Sequence, residues 1–557
     1  MVSRAEAAAE AMVADIAGQA SPMRTRLIDA AGRGLPGVAL FAVVVANAWA
    51  GLMPGVGFWD TGEFQTVLPI LGTAHSPGYP TYVILGFLGN VALTPLGEPA
   101  YRVTVLSLLF TGVAAVATMA LVRRLTGWLP IALAAGLGLA LTPVVWLNAT
   151  RADPHPLHLA FVALLALVLV RWQQDRDELE PAAGDRRLLL AAALFGLSAG
   201  NHSLTLLLAP AIGLFVLVVE PGLVRRPRFV AACLAVAFGT LALVYLELPV
   251  RAGLVPAPLV YGHPDTWDGF WYIALAQQFQ GSLGDPLANL PAKLDELVTL
   301  ASQQLGPLVL LVPPALLVAA RRAPAYTLLS GVAMVVTVLF NTSYSNADIE
   351  RYYLGPVLWV WSWLGILGAE VANLVATALV DDDGRFRGPF ARLSTGTTNR
   401  PSAALPGGRW ERVGVVAATV VGGLLLVPSV ADLEPRREGA DRSTATGASE
   451  WLAEALPVVP RDAVLVSWWS TSTPLWYSQH VLGQRTDVFV VDDRTMLDLD
   501  LGRAPDVIDR YLGQRPVLVI RLERDLPELT DRFAMTRLAG SGNTTVWQVD
   551  GRLGDTP

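Results

Sequence analysis

Asp60 and Glu63 stand three residues apart in Trp59-Asp60-Thr61-Gly62-Glu63-Phe64, a spacing that puts both carboxylates on one face of a helix starting at Asp60. One acid could act as general base on an acceptor hydroxyl while the other positions it or binds a cation, because burial beside a like charge raises a carboxylate pKa toward the working range. The same residue types also suit a helix start, with Asp60 as N-cap and Glu63 as its capping-box partner. Further along, the prolines and glycine of His75-Ser76-Pro77-Gly78-Tyr79-Pro80 fix a rigid turn, either purely structural or presenting His75 and Tyr79 in one orientation. The run Arg151-Ala152-Asp153-Pro154-His155-Pro156-Leu157-His158 gathers a cation, an acid and two histidines. Asp153, His155 and His158 are residue types that ligate metals, but a proline-constrained loop is not a known ligand frame, so no metal is assigned. No cofactor is required; a divalent cation is compatible with the acids but not indicated. Asn201-His202 closes a helical stretch, and polar groups at membrane depth usually face a cavity. Arg351, before Tyr352 and Tyr353, offers a planar fork that binds two phosphate oxygens at once.

What must position these residues is a bundle in lipid. Of the 557 residues 53% are hydrophobic and 16% charged, which a water-soluble domain of this size does not need. Apolar runs such as 37–51, 129–146, 204–219 and 331–340 approach the ~20 residues of a spanning helix and recur too often for buried core helices. A single cysteine, Cys233, rules out a disulfide framework, and a formal charge of −7 gives no hint of nucleic-acid binding.

Arginine placement sets the expected orientation, because short cytoplasmic loops collect cations. Clusters at Arg24, Arg26 and Arg33, at Arg123 and Arg124, at Arg186 and Arg187, at Arg225 to Arg228, at Arg321 and Arg322, and in 381–412 fall on one side. The pattern closes with about eleven spans, provided that 79–95 lies against the surface without crossing. The expected domains are a cytoplasmic segment 1–33 and a transmembrane domain 34–430, with outward loops 55–102 and 250–304 and a cytoplasmic loop 381–412. A small α/β domain, 431–557, follows on the outer face. Strand-length apolar runs at 463–466, 488–491 and 517–520, separated by helix-like 473–481 and 505–512, support it. All the polar clusters then open on one face, which argues for a single outward site. A transporter would gather polar residues near the bilayer midplane instead.

These residues resemble a known family. Asp60-Thr61-Gly62-Glu63-Phe64 and His75-Ser76-Pro77-Gly78-Tyr79-Pro80 look like the Asp-Ser-Gly-Glu and His-Pro-Pro-Gly-Tyr-Pro signature of membrane proteins related to transmembrane protein 260, the protein O-mannosyltransferase-like branch of the GT-C glycosyltransferases. In order along the chain, Tyr101-Arg102-Val103 resembles its Trp-Arg-Val-Asn, Gly196 to His202 its Gly-Leu-Ser-Leu-Gly-Asn-His, and Arg351-Tyr352-Tyr353-Leu354 its Arg-Phe-Phe-Leu-Pro. The likeness runs over roughly 34–363. It implies a polytopic α-helical GT-C fold with a catalytic acid in the first outward loop, and inverting transfer of a sugar from a polyprenyl-phosphate carrier. Asp60 would then be the base, with Glu63 as the second candidate. Mannose and a protein Ser/Thr hydroxyl are the implied sugar and acceptor; a glycan, lipid or wall-polymer acceptor is the alternative. From chemistry alone, Arg351 and Arg102, with Arg151 and His202 behind them, are the candidates for the carrier phosphate. His75, Tyr79, Asp153, His155, Asn201 and Tyr352 complete the expected binding set. The family often has Glu-Val-Tyr where this chain has Asp153-Pro154-His155, so the sugar or acceptor pocket is expected to differ. The implied partners are the lipid-linked donor, a protein or glycan acceptor and membrane lipids, in a multi-pass protein of the cell membrane.

Overall fold

The computed structural model describes residues 34–176, 181–345, 348–380 and 408–554; the expected cytoplasmic segment 1–33 and most of the loop 381–412 lie outside them. Seven described helices are long and apolar enough to cross a membrane: Pro99–Thr126, His155–Asp175, Pro227–Leu254, Leu290–Arg322, Pro324–Ser343, Ile349–Leu379 and Arg409–Ala431. Leu129–Ala140 and Pro143–Ala149, bent by 65°, make an eighth if they form one span. The expected count of about eleven is therefore not reached by length and composition. Each of the eleven segments is helical, but Gly34–Trp49 and Ser203–Val219 are short, and Pro181–Asn201 carries Asp185, Arg186 and Arg187. Pro80–Ala92 has 13 residues and rises about 20 Å at 1.5 Å per residue, short of the ~30 Å hydrocarbon core.

The helices differ in what they face. His155–Asp175 is 83% buried over its most apolar stretch and Pro227–Leu254 only 11%, so the first is a central pillar and the second an outer wall. Because lipid is as apolar as leucine, packing and interhelical hydrogen bonds hold such a bundle. Trp361 Nε1 donates to Thr142 Oγ1 at 2.9 Å, Trp363 Nε1 to Ser330 Oγ at 2.9 Å and the Tyr326 hydroxyl to Ser362 Oγ at 2.6 Å. Each contributes roughly 0.6–2 kcal/mol.

Beyond the last span, five strands form one sheet: β1 Val464–Val466, β2 Phe489–Val491, β3 Val517–Val519, β4 Phe533–Ala539 and β5 Val546–Arg552, in the order β2-β1-β3-β5-β4. β1 pairs parallel with β2 and β3, and β5 pairs antiparallel with β3 and β4. The three parallel strands are the apolar runs expected from the sequence, since strands covered on both faces read as continuous apolar segments. β4 is half exposed and broken by register shifts, so its pattern carries little signal.

This domain is seated on the helices near Asp60. The Tyr477 hydroxyl donates to Glu98 and accepts from the Ala100 N–H at 3.1 Å, and Thr66 Oγ1 donates to the Thr473 carbonyl at 3.4 Å. Gly62 makes the approach feasible. A Cβ there would lie 2.2 Å from the Gly57 carbonyl oxygen and 2.8 Å from Thr473 Oγ1.

Candidate active site

The helix Trp59–Ile70 sends its polar side chains in three directions. Gln65 fastens it from behind, accepting from the Gly57 N–H at 2.7 Å and donating to the Gly55 carbonyl at 3.0 Å. Glu63 is wholly buried; one oxygen accepts the His75 N–H at 2.7 Å and the other pairs with His75 Nδ1. Asp60 points into a cavity of about 850 Å³, with 30% of its side chain accessible. The capping-box alternative is overturned: the N-cap is Phe58, with no side-chain cap, and both carboxylates are engaged elsewhere. Glu63 does not line the cavity, so the two acids do not share one face of a site.

Two side chains hold Asp60, one on each oxygen. Arg351 Nη2 donates to Oδ2 at 3.1 Å and Trp469 Nε1 donates to Oδ1 at 3.3 Å. The other arm of the arginine fork, Nη1, reaches Asp153 Oδ2 at 3.5 Å, so Arg351 bridges two acids from separate loops. Burial acts to raise the Asp60 carboxyl, but His75, Arg351 and the Trp469 hydrogen bond outweigh it and hold it below the ordinary aspartate value. Burial likewise acts against the charged His75, yet Glu63 and Asp60 facing it raise it above the usual histidine value. The turn that presents it has Gly78 at φ +87, where a Cβ would also press on Leu248 and Ile273. The Tyr79 hydroxyl is 3.3 Å from His75 Nε2.

Behind Arg351, His155 Nδ1 lies 2.6 Å from Asp153 Oδ1 and the His155 N–H donates to the same oxygen at 2.8 Å. Burial would raise the Asp153 carboxyl, but His155, Arg351 and Arg151 hold it far below the ordinary range. His202 Nδ1 accepts the Leu204 N–H at 3.2 Å, which leaves Nε2 to carry the proton of the neutral ring at the cavity wall.

The structure thus brings Asp60, His75, Tyr79, His202, Arg351 and Tyr352 to one cavity. Asp153 and His155 stand immediately behind it. Asn201 donates to the Pro154 carbonyl at 3.2 Å and Arg151 to Asn148 Oδ1 at 3.1 Å, so these two are supports rather than lining. Arg102 is not part of the site. Its guanidinium donates to the Asn90 carbonyl at 2.9 Å and Thr94 Oγ1 at 3.1 Å and fastens the short helix Pro80–Ala92, away from the cavity lining where a carrier phosphate was expected to meet it. Among the described residues no group of three His, Cys, Asp or Glu side chains is arranged to hold a metal.

Residues 60–223, which carry Asp60, Glu63, His75, Asp153, His155 and His202, match the family described as the protein O-mannosyl-transferase TMEM260 N-terminal domain. The chain is 33% identical over 238 residues to the mouse protein O-mannosyl-transferase TMEM260, an alignment covering 42% of this chain and 33% of that protein; the chain thus spans about a third of the length of the curated relative it matches. In structure it is similar to ArnT from Cupriavidus metallidurans bound to undecaprenyl phosphate, at TM-score 0.54 and 15% identity over 95% of this chain and 100% of that one. It is also similar to the Archaeoglobus fulgidus oligosaccharyltransferase tethered with an acceptor peptide, at TM-score 0.50 and 13% identity over 94% and 74% of the two chains. The fold is that of the GT-C glycosyltransferases.

The matched segment supplies Asp60, while Arg351 and Trp469 reach it from outside that segment. Sequence reasoning missed the contributions of the loop after the span Pro227–Leu254, where Tyr261, Tyr272 and Phe279 line the cavity, and of Asp492 and Arg494 from the sheet domain. Trp468 and Trp469 are adjacent in the sequence, but nothing local ties residue 469 to residue 60.

Proposed function

We propose that this protein is an inverting glycosyltransferase that moves a sugar, mannose in the first instance, from a polyprenyl-phosphate carrier to an acceptor hydroxyl, a protein Ser or Thr, on the outer face of the membrane. One observation carries this reading: the cavity-facing carboxylate of Asp60 pairs at 3.1 Å with the largely enclosed guanidinium of Arg351. A base and a phosphate-binding cation side by side are what a displacement at an anomeric carbon needs.

In the proposed step the acceptor oxygen bonds to the anomeric carbon while the bond from that carbon to the phosphate oxygen breaks. The hydroxyl proton passes to Asp60, and polyprenyl phosphate leaves with the electron pair, its growing negative charge facing Arg351 and the His202 Nε2–H. Attack opposite the leaving group inverts the centre. Asp153 steadies Arg351 by taking its second nitrogen. Glu63 acts at one remove, holding His75 beside Asp60. Leu206, Leu207, Phe279, Leu283 and Phe340 along the same cavity suit the first isoprene units of the carrier, and the undecaprenyl phosphate of the ArnT structure supports a lipid-linked donor. The TMEM260 relative supports mannose and a protein acceptor.

The test is to incubate the purified protein with polyprenyl-phosphate mannose and a Ser/Thr-rich peptide and to follow mannosyl-peptide by mass spectrometry. Mannosylated peptide of inverted configuration is expected. Release of mannose to no acceptor, or retained configuration in the product, would refute the assignment.

A further inference from the structure

The helix Trp469–Trp476 begins three residues after β1 ends at Val466, so the C-terminal end of this interior strand carries the helix's first residue, Trp469, toward the membrane domain. The indole is fixed there by edge-on contacts with His75 at 5.7 Å, Tyr261 at 5.5 Å and Trp476 at 5.8 Å between ring centroids. Its N–H reaches Asp60 Oδ1 at 3.3 Å, the oxygen that Arg351 leaves free. An aromatic ring packed on three sides has little freedom, and its one polar atom is spent on the cavity-facing carboxylate. A packing tryptophan would not need that alignment.

We infer that Trp469 is a positioning residue for Asp60, so that the C-terminal sheet domain is a working part of the active site and sets the orientation of the acid across the domain boundary. The inference rests on the proposed role of Asp60 as base. With Arg351 on Oδ2 and Trp469 on Oδ1, the carboxylate plane is defined by two donors from different domains, leaving each oxygen a lone pair for the acceptor hydroxyl. The charged and titratable groups facing Asp60 are Arg351, His75, Glu63, Tyr79 and Tyr352, with Asp492, Asp493 and Arg494 also on the cavity wall. Trp469 alone among its partners donates without carrying charge.

Trp469→Phe keeps the ring and removes the N–H. In the transfer assay it is expected to lower kcat about tenfold or more, as loss of a hydrogen bond to a charged group does, while the KM for the polyprenyl-phosphate mannose stays unchanged. The acid limb of the kcat–pH profile moves to higher pH, a change that a packing role would not produce. Trp469→His, which retains a ring N–H, recovers part of the loss. Should Trp469→Phe lower the melting temperature, the histidine variant decides: recovery of kcat supports the inference and its absence overturns it. Wild-type kcat and acid limb in Trp469→Phe, alongside an inactive Asp60→Asn, would overturn the role of Trp469 and leave the base intact. Full activity in Asp60→Asn would instead overturn the reading on which it rests.

Discussion

Replacing Arg351 by Gln removes a cation that bridges two acids. Its side chain is 12% exposed and meets Asp60 at 3.1 Å and Asp153 at 3.5 Å, close to the separation at which a unit-charge pair is worth about 4 kcal/mol at an effective dielectric of ~20. In the proposed transition state the same group faces the leaving phosphate. Loss of one such preorganised donor costs about 10²–10³ in kcat, and that range is expected for Arg351→Gln. The structural cost should fall below the ~3–5 kcal/mol of a buried pair broken outright, since His155 and Arg151 still hold Asp153 and Trp469 still holds Asp60. Removing the cation also lifts Asp60 toward the ordinary aspartate value. Activity that needs ionised Asp60 is present above its pKa and lost on acidification, so the acid limb of the pH–rate profile should move up. Arg351→Lys restores charge without the fork and should recover only part of the rate. The assay is kcat against pH with saturating donor, with melting temperature as the control for folding. A folded Arg351→Gln with kcat within threefold of wild type and an unmoved acid limb would refute the reasoning.

Arg102→Ala should leave kcat and donor KM unchanged, because Arg102 serves the backbone of the Pro80–Ala92 helix and not the cavity; a tenfold rise in donor KM would show that the carrier phosphate reaches it. Gly62→Ala should lower thermal stability by about 1–3 kcal/mol, the usual range for overpacking, and loosen the sheet domain, because its Cβ meets both the Gly57 carbonyl and Thr473 Oγ1; an unchanged melting temperature and unchanged protease sensitivity of the sheet domain would show that neither neighbour is fixed.

What the sequence revealed followed from contrast. In a chain this apolar, acids, histidines and arginines between spans are conspicuous, so Asp60, His75, His202 and Arg351 could be named before their geometry was known. Which of them meet could not be read. Arg102 and Arg351 look alike in sequence, each beside a tyrosine at a helix start, and only the tertiary arrangement sends one to a backbone carbonyl and the other to Asp60. Glu63 and Asp60 share a helix, yet the His75 turn captures the first and the cavity receives the second. In the C-terminal domain, the buried parallel strands announce themselves as apolar runs, whereas the half-exposed β4 offers no such run. Trp469 was legible only as an aromatic. Its contact spans |i−j| = 409, a separation at which local pattern carries no information.

The proposed transfer depends on one carboxylate, that of Asp60. Purified wild type and Asp60→Asn, which keeps the shape and one accepting oxygen while removing the base, are compared for transfer of labelled mannose from polyprenyl-phosphate mannose to peptide, with donor binding measured in parallel. A loss of 10²-fold or more in kcat is expected, with donor binding retained. Transfer at the wild-type rate by Asp60→Asn would rule out Asp60 as the base.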